Sequence, residues 1–244
     1  MRKNIESKVI ALTRELIAQQ TVNPPGSEDR AVEVLREYLE ASSVNFDFEV
    51  QKVEPDRSNF VAQAGDSDRG SLLLTGHMDT VPADAMEWSH DPFELHRDED
   101  RIVGRGTADM KGALAAKVVA AELYLTRAPN PGGVILAFVM GEEQTGKGTE
   151  TLVNRGLDAD AAVLGEPTDM GVGVVQKGAV RYELTVHGQN AHSGRPDQGV
   201  NAIKKCGGYS SGLSNSTTIC ASGNITCSSP DRQLPSPRLM RAWR

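Results

Sequence analysis

Three stretches decide the reading of this chain: Ser71-Leu-Leu-Leu-Thr-Gly-His-Met-Asp79, Val134-Ile-Leu-Ala-Phe-Val-Met-Gly-Glu-Glu143 and Ala161-Ala-Val-Leu-Gly-Glu166. Each is a short apolar run that stops at a glycine or threonine and delivers an acid or a histidine. Continuous apolar runs of this length suit strands buried on both faces, as in a parallel sheet covered by helices. Between the first two lies Asp109–Thr126, rich in Ala, Leu and Lys and opening with an acid, which reads as a long helix. Strands alternating with helices predict an α/β domain whose mostly parallel sheet is flanked by helices.

The flanking segments agree. Apolar residues at Ile5, Val9, Leu12, Leu16 and Ile17 have helical spacing, and Asn23-Pro-Pro-Gly26 ends that helix. A second helix is expected up to Ala41, with Ser27 as its N-cap. Val44–Val53 and Asn59–Ala64 read as strands.

Composition narrows the function. The chain has 244 residues, 39% hydrophobic and 24% charged, with a formal net charge of -7. That balance fits a globular protein with a real core and argues against a nucleic-acid or anionic-membrane partner, which needs a Lys/Arg excess. No apolar run approaches the roughly 20 residues of a membrane-spanning helix. The first residues carry charge with no apolar segment behind them, so a cytoplasmic location is expected. The three cysteines, Cys206, Cys220 and Cys227, lack the Cys-x-x-Cys spacing of a zinc site.

In open α/β sheets, ligands bind beyond the carboxyl ends of the strands. His77, Asp79, Glu142, Glu143 and Glu166 stand at three such ends, and Asp109 stands at a helix start. A histidine among several carboxylates suits Zn²⁺, Co²⁺ or Mn²⁺. Crowded acids repel, and a bound cation relieves them. Of two adjacent glutamates, one can bind metal while its neighbour takes a proton from water. Gly141-Glu-Glu-Gln-Thr-Gly-Lys147 resembles a phosphate-binding loop, but Gly148 stands where that motif needs a hydroxyl, and two glutamates would face the phosphate. His90, His96 and His187 match no ligand position and read as surface or strand residues.

Gly76-His-Met-Asp-Thr-Val-Pro82, Gly104-Arg-Gly-Thr-Ala-Asp-Met-Lys-Gly112, Gly141-Glu-Glu143 and Gly165-Glu-Pro167 resemble the successive signature blocks of the M20 metallopeptidases. Asn190-Ala-His-Ser-Gly-Arg-Pro-Asp-Gln-Gly-Val-Asn-Ala-Ile203 is similar to the family's lid motif. The resemblance covers Met1 to about Lys205, lies closest to the acetylornithine deacetylase and succinyl-diaminopimelate desuccinylase branch, and implies hydrolysis of an N-acyl amino acid. It assigns His77 and Glu166 to a first zinc, Asp109 as the bridging carboxylate, Glu143 to a second zinc, and Glu142 as general base. Asp79 would orient His77. His192 would be the lid histidine that steadies the oxyanion of a neighbouring subunit, in a homodimer made through the lid. The bond from Asp109 to Met110 is expected to be cis. An M20 dipeptidase or carboxypeptidase, or a non-catalytic metal-binding remnant, are the competing readings.

The resemblance also sets domain expectations: residues 1–175 for the catalytic domain, 176–205 for the start of an α+β lid, and 206–244 for an atypical tail. Within the lid, a first strand is expected at about Val180–Gly188 and a helix start at Asn201–Lys205. The family's further zinc-binding histidine has no counterpart, since no histidine follows His192. The net charge is -10 up to Lys205 and +3 after it, and the tail has no clear period. Cys206-Gly-Gly-Tyr can be encoded so that a one-base shift reads Ala-Ala-Gly-Ile, which would continue the lid helix. The tail is therefore expected to be out of frame or disordered, the chain truncated, and the chain itself inactive or nearly so.

Overall fold

The computed structural model describes residues 2–169, 171, 183–206 and 224–228. The chain divides into two units, Met1–Val172 and Gly173–Arg244.

The first unit is built on a five-stranded mixed sheet. In chain order its elements are α1 (Arg2–Ala18), α2 (Asp29–Glu40), β1 (Asp47–Glu54), β2 (Arg57–Ala64), β3 (Asp66–His77), the small hairpin β4 (His96–Asp98) and β5 (Arg101–Val103), α3 (Gly112–Arg127), β6 (Gly132–Val139), α4 (Lys147–Asn154) and β7 (Ala161–Leu164). The sheet order is β1-β2-β6-β3-β7. The apolar runs read from the sequence form its parallel part, β6 beside β3 beside β7. β1 and β2 add an antiparallel flank through the pairing of β2 with β6. One face of β6 (Val134, Leu136, Phe138) packs with Leu16, Leu35, Leu39, Leu114 and Val118 from three helices, and its other face (Ile135, Ala137, Val139) packs with Leu152 of α4. Burial on both faces is what an unbroken Val-Ile-Leu-Ala-Phe-Val run demands.

Three local expectations are corrected. β7 is not buried: it is the sheet edge, and Val163 and Leu164 are 47% and 59% exposed. α2 is not capped by Ser27; Glu28 holds the cap position, and its carboxylate turns inward to Arg57 instead of capping. The long helix does not begin at Asp109. Gly106 turns the chain at φ +85°, Asp109 has the extended angles φ -125°, ψ 93°, and α3 starts only at Gly112. Asp109 therefore stands on an irregular turn and can aim its carboxylate independently of the helix axis.

In the second unit, β8 (Glu183–His187) realises most of the expected lid strand; Val180 lies outside the described residues. A helical turn covers residues 202–206. Within the tail, β9 (Asn224–Ser228) pairs parallel with β8 from Glu183↔Asn224 to His187↔Ser228. The rest of the tail beyond Cys206, including Cys220, lies outside the described residues. No helix among the described residues is long and apolar enough to cross a membrane.

Candidate metal centre

The site stands at the carboxyl ends of β3, β6 and β7. His77 is the last residue of β3 and is 1% exposed. Its backbone N–H donates to the sulfur of Met110 at 3.3 Å, and the Met110 side chain occupies the space above Gly76: a Cβ there would lie 2.2 Å from Met110 Cε. The imidazole Nδ1 lies 2.9 Å from the backbone carbonyl of Asp79 and 3.5 Å from Asp79 Oδ1. That fixes the ring and leaves Nε2 facing the cleft, the arrangement in which a histidine serves as a metal ligand.

Around Nε2 the carboxylates gather. Asp109 Oδ1 is 3.0 Å away and Glu166 Oε1 3.7 Å away. One ligand atom each from His77, Asp109 and Glu143 lies within 4.8 Å of the others. The Asp109 and Glu166 side chains are 50% and 35% exposed, so the cluster opens to solvent on that side. The Asp109–Met110 peptide bond is cis, as the resemblance implied.

Asp79 is fully buried and organises the rest. Its Oδ2 accepts from Asn23 Nδ2 at 2.8 Å and from the backbone N–H of Glu143 at 3.1 Å, while Oδ1 accepts from the N–H of Glu142 at 3.1 Å. Asn23 is brought there because residues 21–23 dock on the segment after β3: Thr21 Oγ1 donates to the Met78 carbonyl, Thr80 N to the Thr21 carbonyl, and Asn23 N to the Thr80 carbonyl. Lys111, buried, donates from Nζ to the Leu16 carbonyl at 2.7 Å and ties the Asp109 turn to the end of α1.

The electrostatics follow from this crowding. Burial disfavours a charged His77, but the hydrogen bonds to Asp109 and Asp79 and the nearby Glu166 outweigh it and push its pKa up to about 11. The bond from His77 holds Asp109 below the usual carboxylate range. Burial would raise Asp79, yet its bonds from His77, Asn23 and the Glu143 N–H hold it low. Burial first, then the charge of Asp109, raises Glu143 to about 7, and burial also raises Glu166. A cluster in which burial and the neighbouring Asp109 raise Glu143 and Glu166, while His77 holds Asp109 low, is the environment a divalent cation would neutralise. One imidazole nitrogen and several carboxylate oxygens are a suitable donor set for it.

Of the sequence-predicted residues, the structure thus brings together His77, Asp79, Asp109, Glu143 and Glu166, with Glu142 on the same turn as Glu143. His192 belongs to the second unit, where it is exposed and its Nδ1 accepts from Gly194 N at 3.1 Å. Lys147, the lysine of the apparent phosphate loop, pairs with Glu54. His90 and His96 face each other with ring centroids 4.4 Å apart, away from any ligand role. Sequence reasoning missed Asn23, which it took only as part of a helix breaker. It also missed Glu28, Arg57 and Asn59. The available signal was polar residues in a strand otherwise fit for the core, since Arg57, Ser58 and Asn59 are all buried at the start of β2.

An α/β sheet with a histidine–carboxylate cluster at its strand ends defines a protein with a candidate metal centre. The profile described as Peptidase family M20/M25/M40 matches residues 73–226, and the chain belongs to that family. A probable succinyl-diaminopimelate desuccinylase of Staphylococcus epidermidis is 36% identical over 204 residues, covering 81% of this chain and 49% of that protein. An acetylornithine deacetylase of Pasteurella multocida is 38% identical over 177 residues, covering 71% and 45%. The chain spans about half the length of these curated relatives. Among solved structures, an M20 family metallo-carboxypeptidase from Sulfolobus solfataricus superposes with a TM-score of 0.55 at 24% identity over 65% of this chain and 37% of that one. The di-peptidase Dug1p of Saccharomyces cerevisiae does so at 0.54 and 20% over 77% and 42%. At these identities the two structures establish the shared fold.

Proposed function

We propose that this chain carries the metal-holding part of an amidohydrolase that removes the acyl group from an N-acyl amino acid. The observation that carries the reading is the meeting of His77, Asp109 and Glu143 within 4.8 Å, from three separate chain segments, with Glu166 beside them. The names of the relatives at 36% and 38% identity support a deacylase over a peptidase.

In this reading His77, Asp109 and Glu166 would hold a first zinc, and Asp109 and Glu143 would serve a second; cobalt or manganese would suit the same donors. Bound metal would polarise the acyl carbonyl and make water a nucleophile near neutral pH. The chain's own residues do the remainder. Asp79 holds the His77 ring and, through the Glu142 and Glu143 amides, sets where both glutamates stand. Glu142 lies on the solvent side of that turn, free to take a proton from the attacking water and return it to the leaving amine. His192 would serve a partner's site in a homodimer made through the lid. A cytoplasmic location is part of the same proposal.

Among the described residues the cluster has one imidazole, His77, and on that ground we infer that the 244-residue chain by itself holds one ion firmly and turns over slowly or not at all. The test is metal content after dialysis against zinc, together with hydrolysis of acetylornithine, succinyl-diaminopimelate and a simple dipeptide. About one tightly held zinc with weak or no hydrolysis is expected. Fast dipeptide cleavage with neither acyl substrate touched would overturn the deacylase reading, and absence of bound metal would overturn the site.

A further inference from the structure

Four consecutive backbone N–H groups follow the end of β6, and each donates to a different buried side-chain oxygen. Met140 N–H donates to Asn59 Oδ1 at 3.0 Å and Gly141 N–H to Glu28 Oε1 at 3.2 Å. Glu142 and Glu143 N–H donate to the two oxygens of Asp79, each at 3.1 Å. The three acceptor residues are 0% exposed and come from β2, from the residue before α2, and from the segment after β3. A turn normally satisfies such donors with its own carbonyls or with water. Here they are satisfied by side chains fixed elsewhere in the fold.

Glu28 is itself anchored. Arg57 donates to it through Nε at 2.8 Å and Nη2 at 2.6 Å, a bidentate pair with both side chains buried. Nη1 of Arg57 reaches Glu54 at 3.3 Å. The guanidinium fills the space under two turns: a Cβ on Gly26 would lie 2.2 Å from Arg57 Nε, and one on Gly141 would lie 3.1 Å from Nη2. Asn59 is likewise held from its other end, donating to the Gly148 carbonyl and to Gln51, both at 2.8 Å.

We propose that Glu28, its counter-ion Arg57 and Asn59 are positioning residues for the Glu142–Glu143 turn. They fix the first two amides of the turn as Asp79 fixes the next two, so that the two glutamates enter the site with their backbone already placed. The inference rests on the reading of Glu143 as a metal ligand. A buried ion pair is seldom kept for stability, since apolar side chains of like size are often as good or better in its place. The Gly141 amide supplies another use for this one.

The test compares E28M/R57M, which removes the acceptor for Gly141 without leaving a lone charge, with E28Q/R57M, which restores an acceptor oxygen. Two readouts are taken on the full chain: zinc affinity, and hydrogen exchange of the amides at 140–143 without metal. E28M/R57M should bind zinc roughly tenfold or more weakly, the scale of loss when a ligand's support is removed. Its 141–143 amides should exchange about tenfold faster, and E28Q/R57M should recover most of both. Unchanged affinity and exchange in E28M/R57M, or equal losses in the two variants, would overturn the proposal. If the unmodified chain bound no zinc, the metal reading would fall by itself, and the exchange comparison would still decide whether these residues hold the turn. Should E28M/R57M fail to fold, Asn59→Leu asks the same of Met140: faster exchange there supports the proposal, and unchanged exchange overturns it.

Discussion

The carboxylate of Asp79 accepts the backbone N–H of Glu143 at 3.1 Å, across 64 positions of sequence, and that one bond joins the end of β3 to the turn after β6. Because the same carboxylate also takes Glu142 N–H and Asn23 and faces the His77 ring, the residue at its centre bears on stability as well as on the site.

Asp79→Ala should therefore do two things. One buried and two part-buried donors lose their acceptor, at up to about 1–3 kcal/mol for each group left unsatisfied, so urea unfolding should show a loss of about 2 kcal/mol or more. Zinc affinity should fall roughly 10–100-fold. Asp79→Asn, which keeps one acceptor oxygen, should be the milder change. Equal stability of Asp79→Ala and the unmodified chain would contradict the network.

Metal should stabilise the fold measurably. With zinc at 100 times its Kd, unfolding free energy should rise by about 2.7 kcal/mol, and a chelator should reverse it. His77→Ala should abolish this zinc-dependent rise in Tm, since it removes the ligand nitrogen around which the acids gather. A full zinc shift in His77→Ala would place the metal elsewhere.

Glu142→Ala should leave zinc affinity within about twofold of normal. In any form of the protein that turns over, it should cost roughly 10²–10⁴ in kcat, the usual contribution of a positioned general base. Retained turnover would remove Glu142 from that role.

Lys117, whose charge the nearby Glu166 favours, offers a pH signature of its own. Its ammonium donates to the Thr75 carbonyl inside the sheet, and burial lowers its pKa from 10.5 to about 8. Between those values the unfolded chain binds the extra proton, so this group's contribution to stability rises with pH from about 8 to about 10.5. Below about pH 8 its burial costs stability. Lys117→Met should flatten the rise when unfolding free energy is measured at pH 7, 8.5 and 10. The same slope in the variant would show that other groups produce it.

Phe138 tests the sheet itself. It is fully buried near the carboxyl end of β6, paired with both β2 and β3. Phe138→Ala should lower unfolding free energy by about 3–5 kcal/mol. A loss under about 1 kcal/mol would mean that the core is far looser than its packing.

Much of the fold was legible because the physics there is local. The runs Leu72–Leu74, Val134–Met140 and Ala161–Leu164 are apolar enough to read as strands of one sheet, and a glycine or threonine follows each one. His77, Glu143 and Glu166 then follow at the strand ends by the geometry of any such sheet. The same local reasoning overreached at β7, where apolar character says only that a strand can be buried, not that this edge is covered. It also overreached at Asp109, where a helical composition begins three residues before α3 does.

The sequence by itself determined the strand runs, the residue types at their ends, and the motifs that place the chain in its family. Only the tertiary structure decided which of those residues meet, and that Asn23, Glu28, Arg57 and Asn59 support them. The reason is range. Apolar periodicity is written in neighbouring residues, but a buried polar group is satisfied by whichever partner the fold brings near. Here the partners lie 29 positions apart for Glu28 and Arg57, 56 for Asn23 and Asp79, and 113 for Glu28 and Gly141. No local pattern announces such pairs; they exist only once the sheet has closed around them.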